Sequence, residues 1–176
     1  MTRVSIIEFS NNNLSGEIPS TMSGNTLEIL DLSNNLITGR IPAGNRNLVK
    51  LQKLCLGENR LSGNIPDELF SLKYISIINI SRNSINGDIP KSIGNCSTVT
   101  SLDLSRNNFS GYIPSEISKM KFLSVLDLSR NHFSGEIPGE MEGMSSLVNL
   151  DLSYNNLSGR IPTEGQFAIF DINSFV

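Results

Sequence analysis

The sequence has no Trp, a single His and two Cys, and aromatic residues make up only 6% of its 176 positions. Each scarcity removes a class of chemistry. With His132 alone no Ser-His-Asp arrangement can be assembled, and two distant Cys supply no metal set. No phosphate-binding loop or kinase motif occurs. The 14 basic and 17 acidic side chains give a net charge of -3, which is neither a basic nucleic-acid footprint nor an acidic tail. No run of about 18 apolar residues is present to span a bilayer. Glu8 interrupts the apolar start of the chain and no cleavage-type segment follows, so the start does not read as a secretory leader. An enzyme is the class that this composition fits worst, and nothing in it asks for a cofactor.

Proline is scarce too, at seven residues, but its placing is informative. Pro19, Pro42, Pro66, Pro90, Pro114, Pro138 and Pro162 are 23 residues apart once and 24 apart thereafter, and a glycine stands three residues before each. Asn12, Asn35, Asn59, Asn83, Asn107, Asn131 and Asn155 keep the same beat. A fixed period of this length marks a solenoid, in which each repeat is one coil stacked on the last. The expected organisation is one solenoid of seven repeats, at about 4–26, 27–50, 51–74, 75–98, 99–122, 123–146 and 147–170. The chain starts already in phase, with Val4, Ile7 and Phe9 where a later copy has Leu147, Leu150 and Leu152. It reads as a piece of something longer.

Within each copy the pattern is L-x-x-L-x-L-x-x-N-x-L, as in Val99, Leu102, Leu104, Asn107 and Phe109. The L-x-L core alternates with strand period, so Leu102 and Leu104 face inward while Ser101, Asp103 and Ser105 face out. Short parallel strands then stack about 4.8 Å apart. The asparagine follows each strand, where backbone groups lose their ladder partners. An inward amide offers two donors and an acceptor to neighbouring coils, and a ladder of buried amides is the expectation. After it comes L-S-G-x-I-P, whose Gly permits positive φ or close approach and whose Pro fixes φ and removes a donor. Apolar residues then recur three and six places beyond the Pro: Leu69 and Leu72, Ile93 and Cys96, Ile117 and Met120, Met141 and Met144. That spacing suits a 3₁₀ or short helical turn. Asn45 breaks it in the second copy, where irregularity is expected.

Phe167, Ile169, Phe170, Ile172 and Phe175 are expected to fold over one end of the core as a partial cap at 163–176. The other end has no such segment, so Val4, Ile7, Phe9, Leu14 and Ile18 should form an exposed apolar edge. Cys55 is an outward strand position and Cys96 an inward one on the return arm, nearly two coils away. A disulfide needs Cα atoms within about 7 Å, so the two should remain free.

With N-x-L-S-G-x-I-P in register throughout, the chain resembles a plant-type leucine-rich repeat protein along essentially its whole length. The resemblance extends to the ectodomains of CLAVATA-type receptor kinases through Val4–Glu8, Thr21–Gly24, Gly63–Pro66, Leu72-Lys73, Cys96-Ser97, Gly165–Phe167 and Ser174-Phe175. It implies an α/β repeat solenoid, a leucine-rich repeat right-handed superhelix with a short-stranded parallel sheet on the concave face and irregular or 3₁₀ convex arms. It also implies a secreted peptide ligand, a co-receptor leucine-rich repeat kinase as partner, and a place on the extracellular side of the plasma membrane. On that reading these are the last seven, membrane-proximal repeats, with the kinase domain, membrane helix, leader and cysteine-bearing caps all elsewhere. The basic R-x-R pair with which that family grips a peptide has no match here, and it would lie upstream of Met1.

Two outward columns are candidates for contact. Arg82, Arg106 and Arg130 occupy one position of three consecutive coils, and Tyr154 continues it. Basic residues and Tyr at a sheet edge suit anionic or peptide partners. Asp103, Asp127 and Asp151 form a neighbouring column with Asp31, able to offset the Arg repulsion. Separated carboxylates beside Ser lack the ligand spacing of a calcium loop, so no metal is expected. His132 lies in a variable surface position between Asn108 and Asn156. Sequons at Asn13, Asn79, Asn95, Asn108 and Asn156 fit a secreted, glycosylated context. Competing functions for this repeat type are a secreted inhibitor of wall-degrading enzymes, which would carry disulfide caps, and ice binding. The column Asn13, Leu36, Arg60, Ser84, Asn108, His132, Asn156 is too heterogeneous for ice. The expected role is recognition of a peptide or protein, with neither nucleic acid nor membrane touched by this segment.

Overall fold

A computed structural model describes residues 4–20, 26–43 and 48–170. Two strands recur in each coil. The chain runs through β1 (Ile6–Glu8), β2 (Ser15–Glu17), β3 (Ile29–Asp31), β4 (Leu36–Thr38), β5 (Lys53–Cys55), β6 (Ser62–Gly63) and β7 (Ile77–Asn79). It continues with β8 (Ser84–Gly87), β9 (Ser101–Asp103), β10 (Asn108–Phe109), β11 (Val125–Asp127), β12 (Ser134–Gly135), β13 (Asn149–Asp151) and β14 (Asn156–Leu157). The odd-numbered strands form one seven-stranded sheet in sequence order, and every pair is parallel. The even-numbered strands build three shorter sheets along the side of the stack.

Three-residue strands carry almost no intrinsic stability, so register must come from burial. The middle residue of each main strand points in, and Leu30, Leu54, Ile78, Leu102, Leu126 and Leu150 are buried in line. The return arms are 3₁₀ turns at Asp67–Ser71, Lys91–Asn95, Ser115–Lys119, Gly139–Gly143 and Gly165–Ile169. No α-helix occurs among the described residues. Each of the first four turns follows a proline whose carbonyl accepts the N–H three residues on, as from Leu69 at 3.1 Å and Ile93 at 3.0 Å. Three residues per turn then place the paired apolar residues on one side, and Leu69, Leu72, Ile93, Cys96, Ile117, Met120, Met141 and Met144 are all buried. Asn45, where irregularity was expected, lies outside the described residues.

From the second coil on, the glycine of each L-S-G segment needs both properties that its lack of a side chain confers. At Gly135 φ is +76°, and a Cβ would sit 2.5 Å from Cδ1 of Tyr112, which lies across it from the preceding coil. In that column each coil drapes the side chain after its glycine over the glycine of the next.

The asparagines bind coil to coil. Asn107 Nδ2 donates to the Ile80 carbonyl of the preceding coil at 3.0 Å and to its own Leu104 and Ser105 carbonyls at 3.2 Å. Its Oδ1 accepts the Ile85 N–H at 3.0 Å. The same four contacts recur at Asn35, Asn59, Asn83, Asn131 and Asn155. Asn12 departs from the expected buried ladder. Its side chain is exposed and donates only to Phe9 and Ser10 of its own coil, since the described residues hold no preceding coil to offer it a carbonyl.

The ends differ from expectation in detail. At the first coil Val4, Phe9 and Leu14 are exposed, but Ile7 packs partly on the core and Ile18 is buried. At the last, Phe167 is buried, Phe170 packs beside it edge-on at 5.6 Å, and Ile169 is 74% exposed. In a 3₁₀ turn, positions 167 and 170 share a side and 169 does not, which explains why Ile169 caps nothing. Ile172 and Phe175 lie outside the described residues. Cys55 is half-buried and Cys96 buried, and both are free.

Asn107→Ala should cost roughly 1–3 kcal/mol, because it strands backbone groups of two coils. Asn108→Ala, exposed and one residue away, should cost about 0.5 kcal/mol or less. Thermal melts giving the two variants equal losses would show that the amide does not bridge the coils.

Candidate partner-binding surface

Two rows of side chains emerge from each main strand and its turn. The first is the third strand residue, paired Asp31↔Cys55, Cys55↔Asn79, Asn79↔Asp103, Asp103↔Asp127 and Asp127↔Asp151 across the sheet. Each carboxylate caps its own turn. Asp103 Oδ1 accepts the Ser105 N–H at 3.0 Å and its hydroxyl at 2.6 Å, and Asp151 does the same with Ser153 at 3.0 and 2.7 Å. Asp127 accepts the Ser129 N–H at 2.9 Å. Asn79 makes the same cap with Ser81, at 3.0 and 2.8 Å, so an amide oxygen serves as well as a carboxylate. This is the short polar side chain bonding its backbone two residues on, as turns favour.

The second row follows, at the turn. Asn11, Asn34, Glu58, Arg82, Arg106, Arg130 and Tyr154 all have φ between +50° and +57°. Left-handed backbone costs about 1–2 kcal/mol for a residue with a Cβ, and only Asn among these types adopts it readily. The conformation is enforced by the ladder, since Arg82, Arg106 and Arg130 donate their N–H to Ser105, Ser129 and Ser153 of the next coil at 2.9 Å. Long side chains therefore stand out from strained positions that Asn fills at lower cost in the first two coils. All three Arg and Tyr154 are exposed.

The sequence suggested that the Asp column offsets the Arg repulsion. No contact between the two columns does so: each carboxylate of the column bonds its own Ser turn, and none pairs with an Arg among the described residues. Among the described residues the ion pairs are Lys53–Asp31 and Arg82–Glu58, both at 3.5 Å. Arg130 instead lies over the Tyr154 ring, 3.8 Å from its centroid, and Arg106, between Arg82 and Arg130 in the column, has no ionic or stacking partner among the described residues. A guanidinium stacked on a ring keeps its N–H edges free for a carboxylate or phosphate.

The Asp column has uneven electrostatics. Burial raises Asp31, but Ser33 and the Lys53 ammonium outweigh it and hold the carboxyl below its ordinary value. Burial also raises Asp127; the Ser129 bonds oppose this, while Asp103 and Asp151 on either side push it further up. Burial raises the Cys96 thiol to about 12 and lifts Cys55 too, so neither is a ready nucleophile. His132 is exposed. Of the sequon residues, Asn13, Asn95, Asn108 and Asn156 are exposed, whereas Asn79 is half-buried in the main sheet with its oxygen committed to Ser81.

A groove of about 360 Å³ lies at the far end of the main sheet, where Asp127 and Asp151 meet Val125, Val148, Ile169 and Phe170. Sequence reasoning missed it. Ile169 was assigned to the cap, and only its one-residue offset from the Phe167 and Phe170 pair could have shown otherwise.

A stack of one-coil repeats with a bridging asparagine in each turn after the first is an architecture that the sequence profiles also identify. Leucine-rich repeat profiles match residues 49–109 and 97–157, with a second such profile at 3–25 and 26–48. This chain belongs to the leucine-rich repeat family. Its structure is that of a plant-type leucine-rich repeat ectodomain. It is similar to the Arabidopsis receptor kinase HAESA, solved with the peptide hormone IDA and the co-receptor SERK1, at 38% identity and a TM-score of 0.90 over 98% of this chain and 28% of that one. It is also similar to the plant peptide hormone receptor RGFR1, in complex with RGF2, at 39% identity and a TM-score of 0.85 over 86% of this chain and 24% of that one. A plant ice-binding protein shares the fold less closely, at 26% identity and a TM-score of 0.62, over 98% of this chain and 71% of that one. No curated protein sequence matches the chain. The leucine-rich repeat chain spans about a quarter of the length of the receptor ectodomains, between 24% and 28% for the two described.

A carboxyl that titrates above its unfolded value weakens a fold once it is ionised. Asp127→Asn keeps the Ser129 cap, as Asn79 shows, and removes the charge between two others. The variant should melt higher at neutral pH, by about 0.5 kcal/mol or less after solvent screening. The gain should vanish as pH falls through the raised value, where Asp127 is already protonated. Melts from pH 3 to 7 that show a constant difference would point away from the carboxylate charge.

Proposed function

We propose that this chain is part of the extracellular recognition surface of a plant leucine-rich repeat receptor kinase, acting in perception of a secreted peptide and in recruitment of a co-receptor leucine-rich repeat kinase. The observation that carries this is the edge formed by Arg82, Arg106, Arg130 and Tyr154. Exposed Arg and Tyr are held at strained backbone positions, Arg130 is preset on Tyr154, and Arg106 is uncommitted. Residues of these types dominate binding energy at protein interfaces. Keeping them where Asn costs less is the sign of a functional rather than a structural choice.

The likeness to HAESA, solved with both a peptide and a co-receptor, supports the reading. The segment itself has no catalytic role on this reading, and any kinase activity belongs to another part of the receptor. Its place is outside the cell, with glycans at the exposed Asn13, Asn95, Asn108 and Asn156. The main contribution of these coils is to the co-receptor, through the Arg edge.

Reversing Arg106 and Arg130 to Glu within the complete ectodomain should weaken co-receptor binding by about 2 kcal/mol or more for each hot-spot residue, while peptide binding persists. Calorimetry with both partners reads the two affinities separately. Peptide affinity that falls as far as co-receptor affinity would mean that the edge holds the peptide itself.

A further inference from the structure

The groove at the end of the main sheet combines features that the Arg edge does not. Val148 and Ile169 are 67% and 74% exposed at its rim, among the most exposed apolar residues described. Its floor carries Asp127 and Asp151. Each has one oxygen committed to its turn, and neither has an ion-pair partner among the described residues. The chain itself shows what such a carboxylate takes. Asp31 meets the Lys53 ammonium at 3.5 Å, from the first position of the next strand. The corresponding neighbour of Asp127 is Asn149 and that of Asp103 is Val125, so no cation is supplied in these coils. Burial and, after it, the two acidic neighbours displace Asp127 upward against the Ser129 bonds, in line with a charge that no cation meets.

We propose that this groove docks an extended segment of a peptide or protein partner that presents a lysine or arginine to Asp127 and Asp151 and an aliphatic or aromatic side chain to Val148 and Ile169. In an extended chain, residues i and i+2 point to one side about 6.6–6.8 Å apart. That separation lets one side chain reach the acidic floor while the next rests on the apolar rim. The cation takes the place that Lys53 fills beside Asp31, and the apolar contact removes Ile169 from water. The inference deepens the recognition reading by naming a ligand class for the sheet face, and it rests on that reading only in so far as this face binds a peptide.

The test uses two probes, acetyl-Leu-Ser-Lys-Ser-Leu-Ser-Arg-Ser-amide and its counterpart with Glu in place of Lys and Arg. Affinities are read by calorimetry and contacts by NMR shifts. The chain is made in bacteria, since Asn at 127 or 151 would complete a sequon with Ser129 or Ser153. The basic probe should bind and shift Val125, Val148 and Ile169, and the acidic probe should not. The double variant Asp127→Asn, Asp151→Asn, whose caps Asn79 shows to be retained, should bind the basic probe about five- to tenfold more weakly, from two partly screened charge pairs. Ile169→Ser should weaken it about threefold while the melting temperature holds, since the side chain is already in solvent. Affinities within twofold of the parent in the double variant, no binding at millimolar probe, or equal binding of the acidic probe would overturn the proposal. Tenfold tighter binding by a chain ending at Phe170 would assign the groove to this chain's own last six residues instead. Shifts confined to Arg106, Arg130 and Tyr154 would also overturn it while leaving the Arg edge intact. Loss of co-receptor binding in the Arg variants is a separate readout, so either reading can fail alone.

Discussion

A stack of three-residue strands has a weakness that longer strands do not share, because most of its backbone lies at strand ends. There the chain turns inside a core with no water to bond to. One side-chain amide per coil removes the difficulty. Asn107 spends both N–H groups on three carbonyls, one of them in the coil before, and receives an N–H from that same coil. Buried polar groups cost free energy unless they are paired, and no buried side-chain nitrogen or oxygen among the described residues lacks a partner. Apolar packing brings the coils together, and the amides fix how far each turn sits from the next.

Once that contact sets the period, every other position inherits a fixed neighbour. Phe109 stacks on Phe133 with rings 6° from parallel because both hold the same place in successive coils. Tyr112 covers Gly135, and Asp103 stands opposite Asp127. The same regularity imposes costs. It lines up three carboxylates on one face, and it forces a left-handed backbone on whatever residue follows the Ser of the turn. A solenoid cannot avoid either by shifting one side chain, since the ladder fixes the backbone on both sides. Function in such a fold is therefore written in which residues occupy the inherited columns.

That division explains how much could be read from sequence. The inward positions could be read because burial admits few residue types. The spacing of Leu102, Leu104, Asn107 and Phe109 led directly to strand, turn and ladder, and the step from Pro90 to Ile93 and Cys96 led to the 3₁₀ arm. Outward positions could be listed but not joined. Arg130 on Tyr154, and Asp103 bound to Ser105 rather than to an Arg, depend on side-chain directions that a column of letters does not contain. The ends were the least legible. Ile18 and Ile169 have similar hydropathy, yet one is buried and the other exposed, because local turn geometry rather than composition decides there.

The two surfaces carry opposite charge and reach it differently. The Arg edge is raised on strained backbone and projects into solvent, where screening is strong and free guanidinium edges cost little to keep. The Asp column lies on the sheet, partly desolvated, where like charges press on one another and Asp127 bears the result. An uncompensated charge in such a place weakens the free protein and strengthens a complex that brings the matching charge. Asp31 and Lys53 show the compensated form of the same site within one chain. From the second coil to the sixth, the sheet face passes from a satisfied carboxylate to an unsatisfied one, and the unsatisfied end is also where Val148 and Ile169 stand exposed. Polar need and apolar exposure at one spot are what a partner with both kinds of side chain relieves together.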